Sequence, residues 1–289
     1  MRASRRFPRL TGRRVADAAA SVTSGEVPHV QWFYDASVFV TLPLFVGGFV
    51  IISCAIVLAL RPAVRRVVDD PEQWDRVLEH VIGTFGVFFG ILLALVAVSV
   101  YENFADARQA TLDEASEIGA LYRATGGMPD ELGTPMRMTL DEYVHTVIFQ
   151  DFPAQREDIV PSTSSAQLDE FDDLLHSFEP QTPQDQAEYV QVIGVFDEFV
   201  EARRARIDLT TVALPPLFWV VIWVGAAVNA VFVGFIYVRR VGLHLLMAGL
   251  LALFIGLVIF VTADMDHPYA GSISVGPGAF ERLLEQTIE

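Results

Sequence analysis

The sequence predicts an all-α membrane protein, four transmembrane helices with a helical domain carried on two stalks and inserted between helices two and three. Three observations predict it. Four apolar stretches, Val38–Leu60, Val81–Val100, Leu217–Tyr237 and Leu243–Thr262, hold no Asp, Glu, Arg or Lys. Each has the roughly 20 residues that cross about 30 Å of hydrocarbon at a 1.5 Å rise per residue. Between Tyr101 and Ala213 lie 23 Asp and Glu against seven Arg, so this segment alone accounts for the formal charge of −16. Apolar residues in that segment recur at three-to-four spacing and nowhere alternate as in a strand.

The chain starts with Arg2, Arg5, Arg6, Arg9, Arg13 and Arg14, followed by Ala, Ser, Thr and Gly up to Gln31. No apolar region follows before Val38, and the one that comes is too long for a signal peptide. Residues 1–31 read as a disordered Arg-rich tail, and 32–289 as the membrane domain. The first span, 38–60, contains Pro43, Thr41 and Ser53 and stops at Arg61-Pro62, with Arg65 and Arg66 behind it. A link from Val67 to His80 carries both charges and reads as a short amphipathic helix. The second span, 81–100, passes without a Pro into YENFADARQATLDEASEIGALYR, so one helix leaves the bilayer as a stalk and reaches Arg123.

The soluble insert, 101–213, then stops at Gly126-Gly127. Pro129 to Phe152 is helical through Met136, Leu140, Tyr143, Val147 and Ile148, with Pro153 and the run Pro161–Ser165 as loops. Ala166–Phe178 is a short amphipathic helix, and Thr182 is the N-cap candidate of the next one. That helix carries Tyr189, Val192, Phe196 and Val200 on one face and returns to the membrane as the second stalk. The third span, about 217–237, is entered through Leu214-Pro215-Pro216, where Pro costs no intrahelical bond. Arg239–Gly242 is the whole turn to the fourth span, about 243–262, so the two form an antiparallel hairpin. The tail 263–289 is acidic and ends in an amphipathic helix near Pro277–Thr287.

These features exclude several function classes. An acidic insert repels phosphate backbones, which argues against nucleic acid. Cys54 is the single cysteine, so no intrachain disulfide forms. No nucleophile elbow, HExxH, Walker loop or CxxC pair occurs, so neither an enzyme nor a cofactor is expected. Asp264, Asp266 and His267, and the crowd Asp169-Glu170 with Asp172-Asp173, lack the Gly-punctuated loop of a Ca²⁺ site, so no metal is assigned. Without intramembrane charge a proton-coupled carrier is disfavoured, and a passive channel lined by small and apolar groups is allowed.

Candidate positions follow. Gly83, Gly86 and Gly90 fall on one face of the second span, as a pore or subunit face or as close packing inside one subunit. Asn229, in the middle of the third span, is a permeation contact or an interhelical hydrogen bond. His244 reads as an interfacial anchor. Glu102, Asp106, Asp113 and Glu117 on the first stalk face Arg203, Arg204 and Arg206 on the second, which predicts ion pairs between the stalks. An unpaired acidic vestibule that gathers cations is the alternative.

A family resemblance rests on residues at the membrane borders. Tyr101-Glu102-Asn103, Ala107, Glu114-Ala115, Leu121-Tyr122-Arg123 and Pro129 come first. Glu201-Ala202-Arg203-Arg204, Arg206, Leu214-Pro215, Trp219, Arg240 and His244-Leu245 follow. Asp266-His267-Pro268-Tyr269-Ala270-Gly271, Val275 and Pro277 close the set. In this order, over about Tyr34 to Glu285, they resemble the bestrophin-like domain family of bacterial membrane proteins. His267 and Ala270 depart from the Arg and the Phe or Arg more often found there. The resemblance implies remote kinship to bestrophins, pentameric anion channels with four spans and helical stalks. Their neck cannot be placed here residue by residue, so no pore residue is carried over.

The expected function is a passive ion channel-like homo-oligomer in the cell membrane, with lipid, further copies of the chain and ions as partners. The alternative is a non-conducting scaffold or sensor whose acidic domain binds a partner. Arg61, Arg65, Arg66, Arg76, Arg239 and Arg240 in the short loops place the insert outside the cytoplasm, whereas bestrophin kinship places it inside.

Overall fold

A computed structural model describes residues 38–68 and 70–285, and the tail expected over residues 1–31 lies outside them. Among the described residues there are nine α-helices and no strand. They are α1 Val38–Val67, α2 Pro71–Ala124, α3 Asp130–Thr146, α4 Phe152–Arg156 and α5 Ser165–His176, then α6 Pro183–Asp208, α7 Pro216–Phe235, α8 Val241–Met265 and α9 Gly278–Leu283. Four of them, α1, α2, α7 and α8, are long and apolar enough to cross a membrane.

The element bounds depart from expectation in three places, each with a physical reason. Helix α1 does not stop at Arg61-Pro62 but runs on to Val67 with Pro62 inside it. Its end is fastened from outside, since Arg61 Nη2 donates to the Arg239 carbonyl at 3.2 Å. The link expected before the second span is simply the first part of α2. Asp70 caps that helix by accepting from the Gln73 amide at 3.4 Å, and Pro71 occupies its first position, where no N–H is missed. Trp74 Nε1 donates to the Phe235 carbonyl at 3.1 Å, which ties the foot of α2 to the end of α7. Pro153 is not a loop residue. A π-helical turn at Val147–Asp151 joins α3 to α4, and Pro153 lies in the first turn of α4, again where its ring is cheap.

Elsewhere the local signals hold. Thr182 Oγ1 accepts from the Asp185 amide at 3.1 Å, and Asp185 Oδ2 accepts from the Thr182 amide at 3.0 Å, which makes a capping box at the start of α6. The hydroxyl and amide donors hold the Asp185 carboxyl below its ordinary value.

Helix α2 belongs to two cores. Its apolar half places Phe89, Leu93, Val96 and Val100 against Ile222 and Ala226 of α7 and Ile255 and Ile259 of α8. Its polar half places Ile118 and Leu121 in a second core with Met136, Leu140 and Tyr143 of α3, Phe171 of α5, Phe196 and Phe199 of α6 and Phe280 of α9. In water, each such large side chain contributes about 1.5–3 kcal/mol on burial. Between the spans that drive is absent and close approach matters instead. Glycines supply it: a Cβ on Gly225 would run into the Phe89 ring, one on Gly234 would lie 2.8 Å from Leu60 Cδ1, and one on Gly256 3.2 Å from Phe49 Cδ1.

Candidate functional site

The most constrained polar cluster is centred on Arg206, fully buried near the end of α6. Its Nε donates to Glu114 Oε2 of α2, and its Nη2 donates to Glu114 Oε1 at 3.3 Å and to Asp151 Oδ2 at 3.2 Å. Nη1 donates to Gln155 Oε1 at 2.6 Å. Two hydroxyls add to the carboxylates: Tyr143 Oη–H donates to Glu114 Oε1 at 2.6 Å and Ser164 Oγ–H to Asp151 Oδ2 at 2.7 Å, while Asp151 Oδ1 is buried without a hydrogen-bond partner among the described residues. Gln155 Nε2 donates to Thr210 Oγ1 at 2.8 Å. The guanidinium carbon sits 5.5 Å from the Phe152 ring centroid and 5.8 Å from that of Phe280, within cation–π range of both.

Secondary structure explains how these groups meet. Glu114 occurs on the buried face of α2 in the series Ala107, Thr111, Glu114, Ile118, Leu121, one acid in an apolar stripe. The π-helical turn ends at Asp151, and Gln155 follows one turn later in α4. Burial alone would lower the Arg206 guanidinium, but Glu114, then Tyr143 and Asp151, raise it, and the net direction is upward. Burial, reinforced by the Glu114 carboxylate, holds the Tyr143 phenol well above its usual value. Both charges and hydroxyls are closed to solvent, so the cluster positions helices and offers no open face for chemistry. Among the described residues no group of His, Cys, Asp and Glu converges to hold a metal.

The chain after α8 is fastened by three side chains near the membrane end of that helix. Asp264 accepts from the amides of Ser272 at 3.2 Å and Ile273 at 3.0 Å. Asp266 accepts from the Leu214 amide at 2.8 Å and from Trp219 Nε1 at 2.9 Å, and so caps the entry to α7. His267 Nδ1 lies 2.9 Å from Asp158 Oδ1. The acids here hold backbone and side-chain donors. The Asp158 hydrogen bond raises the His267 pKa, burial opposes it, and the charges of Asp158 and Asp266 add to the rise. Tyr269, whose hydroxyl donates to the Arg206 and Ala107 carbonyls at 3.3 and 3.4 Å, is pushed up to about 12 by burial.

The expected stalk residues are distributed differently from the pairs drawn in the sequence. Arg206 does bind a carboxylate of α2, but the partner is Glu114. Arg203 Nη2 donates to the hydroxyls of Ser164 and Ser165 at 3.0 and 3.1 Å, and Arg204 is exposed. Among the described residues neither Glu102 nor Asp106 is in an ion pair. Asp106 instead lines a groove of about 470 Å³ between α2 and α6 with Asp113, Glu117, Glu198 and Glu201.

In the span half of α2, Gly83, Gly86 and Gly90 are exposed, and a Cβ on any of them would meet nothing within 4 Å among the described residues. Asn229 is half-buried and lines a small cavity of about 10 Å³ with Ser53, Val57 and Ala252 between α1, α7 and α8, which is room for about one water. His244 does not face outward as an anchor. It is buried, and its Nε2 lies 2.9 Å from the Val233 carbonyl, bonding α8 to α7.

Sequence reasoning passed over Glu114, Asp151 and Gln155 as a site. The signal was present for Glu114, an acid recurring at apolar spacing, whereas the π-helical turn that aims Asp151 has no sequence signature.

Comparison with protein families finds a match to a model described as Bestrophin-like domain, over residues 47–280. Solved structures similar in fold include a mutant of a bacterial bestrophin homologue from Klebsiella pneumoniae, with TM-score 0.65 at 11% identity over 86% of this chain and 99% of that one. A second mutant of a bacterial bestrophin homologue from the same organism gives 0.65 at 12% identity, covering 88% and 99%. A bacterial bestrophin homologue from that organism, phased with zinc, gives 0.60 at 14%, covering 83% and 98%. At such identities the likeness shows the fold. Comparison with curated proteins finds no match.

Proposed function

The chain belongs to the bestrophin-like domain family, and from that premise we propose that it assembles as a homo-oligomer and conducts ions passively across the cell membrane. The observation that carries this reading is the free face of α2. The free faces of α1 and α8 carry large groups suited to lipid, such as Phe39, Leu44, Ile51, Leu246, Leu250 and Phe254. Helix α2 differs. Gly83, Gly86, Gly90 and Ala94 form a lane of small, exposed residues, flanked by exposed Phe88, Ile91 and Leu95. One edge of the face thus leaves room for a permeation path, and the other is large enough to pack a neighbouring copy. The lane contains no charge, which fits a pore that neither binds nor carries protons.

In this reading the polar half of α2 and helix α6 are the two stalks of the insert, and the Arg206 cluster locks them together. The arginines of the short loops place the insert on the extracytoplasmic side. The five carboxylates in the groove between α2 and α6 form an acidic vestibule that raises the local cation concentration. The same groove favours the second reading, a non-conducting scaffold or sensor that binds a cationic partner.

Currents through planar bilayers containing purified protein in asymmetric chloride salts test the proposal. Discrete steps, reduced by Gly86→Phe without loss of fold, support it, and the reversal potential reports the preferred ion. Silence from protein shown to be folded and oligomeric refutes conduction and leaves the scaffold.

A further inference from the structure

Three exposed aliphatic side chains of the water-facing part lie at a depth that the hydrogen bonds fix. Helix α7 has 20 residues, a rise of about 30 Å, so it fits the hydrocarbon end to end and Pro216 marks one boundary. Asp266 is at that boundary, because it bonds the Leu214 amide and Trp219 Nε1 on either side of Pro216. His267 comes next and meets Asp158 at 2.9 Å. Asp158 therefore lies in the headgroup layer, with Ile159 and Val160 following it, 53% and 51% exposed. Ile273, 43% exposed, reaches the same layer independently, because Asp264 in the last turn of α8 holds its amide at 3.0 Å.

The turn that presents Ile159 is rigid. Its amide bonds the Ala154 carbonyl at 3.0 Å and the Asp158 amide bonds the Gln155 carbonyl at 3.1 Å, the paired bonds of a Schellman cap on α4. The left-handed position of such a cap usually belongs to Gly, yet here it is Asp158, with φ 57°. An Asp at that position is accounted for by the carboxylate it brings to His267. In a Schellman cap the residue at the Ile159 position commonly packs back on its own helix, whereas Ile159 points half its surface outward. Two separate devices thus spend a carboxylate to hold an exposed aliphatic group at the level where the hydrocarbon begins.

We propose that Ile159, Val160 and Ile273 enter the headgroup–acyl boundary of the bilayer and dock the water-facing domain onto the lipid surface beside the foot of α7. The occupant is the lipid of the leaflet on that side, because the depth of all three residues is set by the spans themselves. The proposal needs the four spans but not conduction, and it holds for either reading of the function.

Nitroxide labels at Val160→Cys and Ile273→Cys, on a Cys54→Ser background in liposomes, test it through collision rates with oxygen and with a water-soluble nickel chelate. Met138, 69% exposed on α3, supplies the water-facing reference as Met138→Cys. The expected result is an oxygen-to-chelate ratio several-fold above that of Met138 at both positions. In the Val160→Cys protein, adding Asp158→Gly keeps the left-handed turn, removes the tie to His267 and lowers that ratio. A ratio equal to that of Met138 overturns the proposal. Shielding from both reagents also overturns it, because a neighbouring protein chain then covers the lip.

Discussion

Replacing Arg206 by Met removes a cation of similar reach and leaves its partners in place. Four donor contacts are lost: two to Glu114, one to Asp151 and one to Gln155. Tyr143 and Ser164 still donate to the two carboxylates, but no positive charge faces them, and both side chains are fully shielded from water. Breaking a buried pair from one side costs about 3–5 kcal/mol, against about 0–1 kcal/mol for an exposed pair. For a body of this size the loss corresponds to a midpoint lowered by about 6–20 °C.

Cys54, the single cysteine and partly buried in α1, reports the transition in detergent through a thiol-reactive dye that brightens as the spans separate. The double variant Arg206→Met/Glu114→Gln removes one carboxylate with the cation, so its midpoint lies above that of Arg206→Met alone. A single variant that melts within the range expected of an exposed pair, or a double variant that is simply the sum of its parts, refutes the account of a solvent-free cluster.

Three further outcomes follow from the packing and the titrating groups. Gly225→Ala forces a methyl into the Phe89 ring and costs about 1–3 kcal/mol, whereas Gly86→Ala, with open space around its Cβ, stays within about 0.5 kcal/mol; the same thermal assay ranks them, and equal midpoints would refute the packing. Folding raises the His267 pKa above its unfolded value of about 6.5, so its stabilisation is complete below that pH and fades as pH rises through the folded value. The midpoint difference between wild type and His267→Gln should then shrink toward alkaline pH, and a pH-independent difference contradicts the Asp158 tie. Thr182→Ala removes the hydroxyl half of the capping box and lowers stability by about 1 kcal/mol, with hydrogen exchange quickened at the Asp185 amide; unchanged exchange would show that the cap does not hold the end of α6.

The sequence makes the helices legible because their causes are local. Twenty apolar residues, a Thr182 cap and Pro215-Pro216 ahead of a span each act within one turn or one thickness of hydrocarbon, so α6, α7 and α8 start and end within a few residues of expectation. Pro62 and Pro153 mislead for the opposite reason. At Pro62 the helix is held by a partner distant in sequence, Arg239, whose carbonyl takes the Arg61 guanidinium. At Pro153 a π-helical turn with no sequence signature ends just before it and leaves the ring in the first turn of α4.

The polar cluster shows where local reading runs out. Charge patterning put the stalk arginines opposite the acids Glu102, Asp106, Asp113 and Glu117, since exposed acids on one face are what a helical wheel displays. Those acids stay in water, where an arginine partner adds little. The acid that Arg206 finds is Glu114, which sits among Ala107, Ile118 and Leu121, where leaving it unpaired would cost several kcal/mol. Burial, not abundance, decides which carboxylate a guanidinium must satisfy. The glycines obey the same logic in reverse. Gly225, Gly234 and Gly256 are small because Phe89, Leu60 and Phe49 press on them within the chain, whereas nothing among the described residues presses on Gly83, Gly86 and Gly90. The assembly proposed above, built around the free face of α2, would give those three small residues a neighbour that the described residues do not supply.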